Sequence, residues 1–170
     1  MSWIFKRVKQ FFRALTAEIS VDDEKYVMEH LDAQEQKLFF ALQETDQYHS
    51  LHVAYTIERL VIEGKQGIDR EFLIRCALLH DIGKADYKLT IRKKIFTVLV
   101  TTFAPKLADE LELKGDRSIY IYRNHAELGA QKLQRLGLFE EAKVIARHHS
   151  PPRDDDSREL KLLRMADDEN

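Results

Sequence analysis

The sequence predicts an all-α protein, from its scarcity of chain-breaking residues, its length and the spacing of its apolar residues. Only 6 glycines and 3 prolines occur among 170 residues, less than half of their usual combined share of about 12%. A β-sandwich or barrel needs many tight turns, which depend on these residues, and is therefore excluded. Apolar residues instead recur at steps of three and four, as in amphipathic helices. The length fits one domain.

The first predicted helix covers residues 3–17 and combines an apolar face with positive charge. Its apolar face carries Ile4, Val8, Phe11 and Leu15. Four basic residues accompany this face, and no acidic residue precedes Glu18. Because such faces usually pack on a core, we favour packing on the rest of the chain or across a homodimer interface. Contact with an anionic membrane surface is the alternative.

Seven further helices are expected, and several have a recognisable signal at one end. They cover residues 22–44, 47–63, 69–82, 91–104, 124–137, 140–149 and 156–170. Gly64 and Gly67 mark a break, after which Asp69 caps the next helix. Residues 91–104 are rich in types that favour strands, but no partner strand is evident, so a helix is predicted there too.

The last three helices are delimited by capping and breaking residues. Asn124 with Glu127 three residues later resembles a capping box at a helix start. Asp156 with Glu159 gives the same signal for the final helix. The helix over residues 140–149 is expected to stop at the two prolines that begin with Pro151.

Charge and cysteine content restrict the function classes. The chain has 27 Lys and Arg against 29 Asp and Glu, a net charge of −2, so no global basic field would attract a nucleic acid polymer. The single cysteine, Cys76, cannot form a disulfide within the chain and fits a reducing compartment. No apolar run approaches the ~18 residues of a membrane span, and a secretory signal is not expected. We therefore expect a cytoplasmic location.

Histidine and carboxylate side chains recur on the apolar faces of the predicted helices. His49 shares its face with Val53, Ile57 and Leu60. His80 lies four residues after Cys76, which turns it inward as well, and Asp81 follows it directly. A lone inward histidine is more often a hydrogen-bonded core residue than a metal ligand.

Two residues near the end of the chain repeat this pattern. Asp167 lies seven residues after Leu160 and four after Leu163, on the apolar face of the last helix. His149 follows Ala142 and Ile145 in the same manner. A buried carboxylate is costly without a partner. Two inward carboxylates with several inward imidazoles in one core therefore favour metal binding.

Three short segments carry these residues in a recognisable order. They read His-Ser-Leu-His-Val-Ala from His49, Ala-Leu-Leu-His-Asp-Ile-Gly-Lys from Ala77, and Leu-Arg-Met-Ala-Asp from Leu163. Together they resemble the first His motif, the His-Asp signature and the closing Ala-Asp motif of the HD superfamily of metal-dependent phosphohydrolases. The resemblance spans residues 47–168 and implies a single helical HD-domain bundle over 47–170, with N-terminal helices over 1–46 packed on it.

A further segment resembles the binuclear branch of this superfamily. His-Ala-Glu-Leu-Gly-Ala from His125 resembles a motif of HD-GYP proteins and of bacterial dinucleoside-tetraphosphate hydrolases. His148 and His149 resemble the paired histidines of HD-GYP domains, and His149 best matches the single histidine of the tetraphosphate hydrolases. Ser-Pro-Pro-Arg follows where HD-GYP domains have a Gly-Tyr-Pro loop, so a cyclic dinucleotide substrate is not expected. Thr45 replaces an additional Glu ligand of some members, so a third metal is not expected.

The resemblance implies two divalent metal ions with a shared ligand. One ion would take His49, His80, Asp81 and Asp167. The second would share Asp81 and take His125, His148 and His149. Such ligands suit iron, manganese, zinc, cobalt or nickel rather than calcium. Two ions about 3.5–4 Å apart activate a bridging water and hold phosphoryl oxygens, so the implied nucleophile is a metal-bridging hydroxide.

The catalytic residues implied by the resemblance are His80, Asp81 and Lys84. Lys84 either binds a substrate phosphate or is a solvated charge at a helix C-terminus, and both interpretations stay open. Arg147 and Arg153 are candidate phosphate contacts, although a surface role is favoured for each. Cys76 is expected to be a small buried apolar residue rather than a ligand.

The expected function is hydrolysis of a phosphate ester or anhydride in a small molecule, with a nucleotide as the substrate class. The intact set of ligand motifs favours an enzyme. The alternative is a non-catalytic metal or nucleotide sensor, or an interaction module, with the same fold.

Overall fold

The computed structural model describes residues 18–62 and 67–170, and every regular element within these ranges is helical. The predicted all-α class is therefore confirmed. The helix predicted over residues 3–17 lies outside the described residues, and so do its two proposed roles.

Nine α-helices and one short 3-10 helix follow one another in the described ranges. The α-helices are α1 (Val21–His30), α2 (Ala33–Phe40), α3 (Glu44–Ile62), α4 (Arg70–Leu79), α5 (Ile91–Phe103), α6 (Pro105–Leu113), α7 (Arg117–Arg135), α8 (Phe139–Ala146) and α9 (Arg158–Glu169). The 3-10 helix (Ile82–Lys84) follows α4.

A single helix was predicted over residues 22–44, but the structure has α1 and α2 there. Asp32 lies between them and caps α2, because its side chain accepts hydrogen bonds from the backbone N–H groups of Gln34 and Glu35. The Glu35 side chain accepts a hydrogen bond from the backbone N–H of Asp32 in return, at 2.7 Å. This capping box ends one helix and begins the next.

The two N-terminal helices pack on the rest of the described chain. Both contact α4, and Val27, Leu31 and Phe39 belong to the same buried core as α3, α4, α8 and α9. The proposed boundary between residues 46 and 47 falls inside α3. The division into residues 1–46 and 47–170 stays a prediction.

The segment after α4 contains one predicted helix and one that the sequence did not predict. Residues Ile91–Phe103 form α5, so the helix prediction for this β-branched segment is confirmed. Pro105 is the first residue of α6. Proline is favoured there, because an N–H group at the first helical position would have no hydrogen-bond partner within the helix. Val100, Ala108 and Ile119 form a small second core where α5, α6 and α7 meet.

The capping box predicted from Asn124 and Glu127 is wrong. Both residues lie inside α7, and the Asn124 side chain donates a hydrogen bond to the backbone oxygen of Tyr120 at 2.8 Å. The N-cap is Asp116, whose carboxylate accepts from the N–H groups of Ser118 and Ile119. The long helix starts there because an Asp N-cap satisfies its free N–H groups.

The bounds of α8 and α9 also differ from their predictions. The helix predicted to reach His149 ends at Ala146. The last helix starts after Ser157, whose hydroxyl accepts from the N–H of Leu160 at 3.1 Å. Asp156, the predicted cap, is buried and forms ion pairs instead.

Helix packing brings distant segments of the chain together. The helix α3 packs on α4 and α9, while α7 packs on α8 and on the 3-10 helix. These contacts surround the end of α4 with residues from α3, α7, α8 and α9. No helix in residues 18–62 or 67–170 is long and apolar enough to cross a membrane.

Candidate metal centre

Seven side chains that lie far apart in sequence come together around the end of α4. We call them the ligand cluster: His49, His80, Asp81, His125, His148, His149 and Asp167. The helix α3 supplies the first, α7 the fourth and α9 the last, while the others directly follow α4 and α8. All seven were predicted as metal ligands from the sequence.

Three buried imidazoles of the ligand cluster have a fixed tautomer. The Nδ1 atoms of His80, His125 and His148 lie 2.7, 2.8 and 2.7 Å from the backbone oxygen three residues earlier. Since a carbonyl can only accept, Nδ1 carries the proton and Nε2 keeps its lone pair. These three Nε2 atoms are buried and have no hydrogen-bond partner. Buried polar atoms without partners are rare, and this orientation is typical of metal-binding histidines.

Asp81 lies between two groups of imidazoles and offers one carboxylate oxygen to each. Its Oδ1 atom is 3.2 Å from Nε2 of His125. Its Oδ2 atom is 3.6 Å from Nε2 of His80 and 4.0 Å from Nε2 of His49. Neither Nε2 of His125 nor Oδ1 of Asp81 has a hydrogen-bond partner in the structure. A cation between them would stabilise this arrangement.

Asp167 completes the cluster from α9. Its Oδ1 atom lies 2.9 Å from Nε2 of His49 and 3.8 Å from Nε2 of His80. Its Oδ2 atom lies 3.9 Å from Nδ1 of His149. The carboxylate that the sequence places on an apolar helix face therefore has imidazole partners.

Burial keeps three of the imidazoles neutral. It lowers the pKa of His80, where the charges of Asp81 and Asp167 oppose the effect without outweighing it, and it lowers the pKa of His148. Burial also lowers the pKa of His149 to about 3. Burial alone would also lower the pKa of His49, but the hydrogen bond and charge of Asp167 outweigh it and raise that pKa.

Both carboxylates of the cluster are held in their ionised form. Burial would raise the pKa of Asp81, but the positive charge of Lys84 beside Oδ2 outweighs it and holds the pKa well below its usual range. The hydrogen bond and charge of His49 lower the pKa of Asp167 in the same way. Ionised carboxylates and neutral imidazoles are the forms that bind metal ions.

The ligand cluster contains three overlapping sets of donor atoms. They are Asp81-His125-His148-His149, His49-His80-Asp81 and His80-His148-Asp167, and within each set the donor atoms lie within 4.8 Å of one another. Mixed imidazole and carboxylate donors suit first-row transition metals. The three unpartnered Nε2 atoms and the unpartnered Asp81 oxygen therefore fit such ions.

Comparison with known families agrees with this geometry. Residues 47–169 match the HD domain family. The chain belongs to the HD domain family. HD domains are typically metal-dependent phosphohydrolases, and the ligand cluster is compatible with that chemistry. Searches among curated proteins and among solved structures each found no match.

Lys84 of the HD domain forms an ion pair within the cluster. Its Nζ atom is 2.5 Å from Oδ2 of Asp81, and its side chain is only 25% exposed. Burial would lower the pKa of Lys84, but the charges of Asp81 and Asp46 outweigh it and raise that pKa. Lys84 is the last residue of the 3-10 helix, as the alternative interpretation required, but its charge pairs with Asp81 and is not solvated. Phosphate binding stays a prediction.

Two glycines let the His-Asp segment of the HD domain approach α7 closely. Gly83 in the 3-10 helix lies against Gly129 and the backbone of His125. This contact places Asp81 opposite the His125 imidazole.

His149 differs from its predicted environment. Its assignment to a buried face assumed that α8 continues to residue 149, whereas α8 ends at Ala146. The His149 side chain is 41% exposed, while His148 is buried. The imidazole of His149 nevertheless belongs to the ligand cluster, because its ring centroid lies 4.8 Å from that of His125.

The residues that support the turn after α8 were not predicted from the sequence. Arg147 was considered as a phosphate contact or a surface residue, but its Nη2 atom lies 2.6 Å from Oδ1 of the buried Asp156. Arg164 was not singled out, although it pairs with the other carboxylate oxygen of Asp156. No local pattern marks such ion pairs, because their partners come from separate segments. Arg153 is exposed, and Cys76 is buried as predicted.

Proposed function

We propose that the chain is a cytoplasmic phosphohydrolase that uses two divalent transition metal ions to cleave a phosphate ester or anhydride. The observation that carries the proposal is the position of Asp81, whose two oxygens face different imidazoles at 3.2 Å and at 3.6 Å. A carboxylate in that position is well placed to be a ligand of two metal ions at once. The single buried cysteine supports a reducing compartment.

The two ions would share Asp81 and divide the remaining ligands of the cluster. One would be held by His49, His80, Asp81 and Asp167. The other would be held by Asp81, His125, His148 and His149. When bound, such a pair supplies an activated water and neutralises charge on the phosphoryl oxygens. We propose iron, manganese, zinc, cobalt or nickel for both ions.

The exposure of the cluster indicates where a substrate would enter. The side chains of His80, Asp81 and His125 are between 1% and 4% exposed. Those of His49, Lys84 and His149 are 24%, 25% and 41% exposed. A phosphate would therefore approach from the side of these three residues, while the core behind them excludes water.

Lys84 is the cation that we assign to the substrate phosphate. Its ammonium group contacts Oδ2 of Asp81, so only a short movement would bring it to a phosphoryl oxygen beside that carboxylate. It would bind the phosphate as a point charge. His80 and Asp81 would act as catalytic residues through their place in the metal centre.

A nucleotide is the substrate class that we propose. The support is the resemblance of His125, Gly129 and Ala130 to the motif of the binuclear branch, which includes dinucleoside-tetraphosphate hydrolases. The Ser-Pro-Pro-Arg segment after His149 differs from the Gly-Tyr-Pro loop of HD-GYP domains, so a cyclic dinucleotide is not proposed.

Metal analysis followed by a substrate screen tests the proposal. The full chain is loaded with Mn²⁺, Fe²⁺ or Co²⁺ and assayed on p-nitrophenyl phosphate, bis(p-nitrophenyl) phosphate and a nucleotide panel that includes dinucleoside tetraphosphates. We expect two ions per chain and turnover of at least one nucleotide. His80→Ala and Asp81→Ala should each lower turnover by more than about 100-fold.

His30→Ala is the matched control for these variants. His30 is a partly buried histidine that pairs with Glu71 at 2.7 Å, outside the ligand cluster, so its loss should leave turnover unchanged. Full activity in the His80 and Asp81 variants would contradict the proposal. Metal binding without turnover of any substrate would favour a non-catalytic sensor instead.

A further inference from the structure

His148 and His149 follow the end of α8, and both of their side chains belong to the ligand cluster. The ring of His148 lies 5.2 Å from that of His80, and the ring of His149 lies 4.8 Å from that of His125. Neighbouring side chains of a regular helix diverge by about 100°. Here the chain after Ala146 forms turns instead, and the two rings are 3.9 Å apart. The backbone of this turn therefore decides where both imidazoles point.

Arg164 binds the backbone of this turn from α9. Its Nε atom donates a hydrogen bond to the backbone oxygen of His148 at 3.1 Å. Its Nη2 atom donates to the backbone oxygen of Arg147 at 2.8 Å. The planar guanidinium thus fixes two consecutive carbonyl groups, which a flexible ammonium group cannot do in the same geometry.

Asp156 holds the Arg164 side chain in this orientation. Its carboxylate is fully buried and forms ion pairs with Nη1 of Arg164 and Nη2 of Arg147. Its Oδ2 atom also accepts a hydrogen bond from the backbone N–H of Arg153 at 2.8 Å. A buried carboxylate between two guanidinium groups is strongly restrained, because separating it from either one leaves a buried charge unpaired.

Arg164 and Asp167 lie three residues apart on α9, so they are neighbours on one helix face. One helix therefore carries both a member of the ligand cluster and the group that fixes the turn of His148 and His149. We propose that Arg164 is a positioning residue that sets the placement of His148 and His149 relative to Asp167. This inference rests on the proposed metal centre.

The inference predicts an unequal effect on the two ions. His148 and His149 belong to the donor set with Asp81 and His125. The set formed by His49, His80 and Asp81 contains no residue of the turn, and the set formed by His80, His148 and Asp167 contains only His148. Loss of Arg164 should therefore weaken binding of the ion held by both His148 and His149 more than binding of the other ion.

Titration of the metal-free full chain with Co²⁺ tests the inference, with calorimetry and the visible absorption of bound cobalt as readouts. We expect Arg164→Met to weaken one of two sites by about 10- to 100-fold and to change the cobalt spectrum of that site. Arg158→Met, at the exposed start of the same helix, is the matched control and should titrate like the wild type. Circular dichroism checks that each variant folds.

The outcomes separate this inference from the proposed function. If the wild type binds no Co²⁺, the proposed metal centre is wrong and the inference is wrong with it. If the wild type binds two ions and a folded Arg164→Met binds them equally well, only the inference is overturned. Equal weakening of the binding of both ions also overturns the inference. Should Arg164→Met not fold, Arg164→Lys is titrated, and an unchanged titration would again overturn the inference.

Discussion

Gly83 packs against the backbone of His125 so closely that a Cβ atom at position 83 would lie 2.0 Å from the His125 carbonyl oxygen. The same Cβ atom would lie 2.8 Å from the backbone nitrogen of Gly129. Neither backbone atom can turn away as the end of a side chain could. The absence of a side chain at position 83 therefore allows Asp81 and His125 to face each other.

Gly83→Ala is expected to destabilise the fold by about 3 kcal/mol, because overpacking against the backbone forces the 3-10 helix away from α7. Urea denaturation followed by circular dichroism measures the loss. Gly129→Ala is the comparison, since a Cβ atom there would meet its nearest backbone atom at 3.3 Å. That variant should lose less stability, and equal losses would contradict the explanation.

Asp81→Asn should abolish tight binding of both metal ions, because the neutral amide removes the charge that the two ions would share. His49→Ala and His125→Ala should each retain one ion, since each removes a ligand from one donor set only. Equilibrium dialysis with elemental analysis gives the number of ions per chain. Retention of one tightly bound ion by Asp81→Asn would show that the carboxylate is not shared.

Lys84→Met is expected to lower turnover by about 100-fold without weakening metal binding. A cation that stabilises charge on a reacting phosphate contributes at this level, whereas its own charge repels the metal ions beside Asp81. Steady-state kinetics and cobalt titration measure the two effects. Lys88→Met, an exposed lysine four residues later, is the control and should retain wild-type turnover. Weaker metal binding by Lys84→Met would contradict the assigned role.

Asp116 makes the stability of the fold depend on pH in the acid range. Burial would raise its pKa, but hydrogen bonds from Lys93, Ser118 and the N–H of Ile119 lower it to about 2 from an ordinary 3.8. Because the folded-state pKa lies below the unfolded one, the stabilisation is fully present above about pH 4. It is lost as the pH falls through the range from 3.8 to about 2.

Asp116→Asn should therefore reduce stability by about 1 kcal/mol at pH 7, because solvent screens this partly exposed pair and Asn still caps α7 but cannot pair with Lys93. The difference from wild type should shrink as the pH falls below 4. Denaturation at several pH values measures it, with the exposed Asp154→Asn as the control. A difference that does not change with pH would rule out the ion pair as its source.

The structure brings together the seven residues that helical spacing and recognisable motifs singled out, and their binding of metal ions stays a prediction. His49 and Asp167 could be placed on apolar faces by counting steps of three and four, and the structure puts them 2.9 Å apart. The helix starts were harder to predict. Asp116 and Asn124 are both acceptable N-cap residues, but Asp116 also pairs with Lys93 of α5, and a contact between separate segments cannot be read from local sequence.

The contacts that support the ligand cluster could not be predicted, because they join segments that are distant in sequence. Arg164 reaches the carbonyl groups of residues 147 and 148 only when α9 lies beside the end of α8. His149 illustrates the opposite error, since helical spacing was extended beyond Ala146, where the helix had ended. Helical spacing therefore predicts which residues share a helix face, but it does not predict where tertiary packing ends the helix.

Labelling of the Cys76 thiol can report how often the helices around α4 separate. The thiol is fully buried on α4, four residues before His80, and burial raises its pKa well above the ordinary value. A thiol reagent can reach it only after the helices around α4 separate. The rate of labelling therefore measures the protection of the helix that precedes the His-Asp pair, and ions that join His80 and Asp81 to residues of α3, α7 and α9 would slow it.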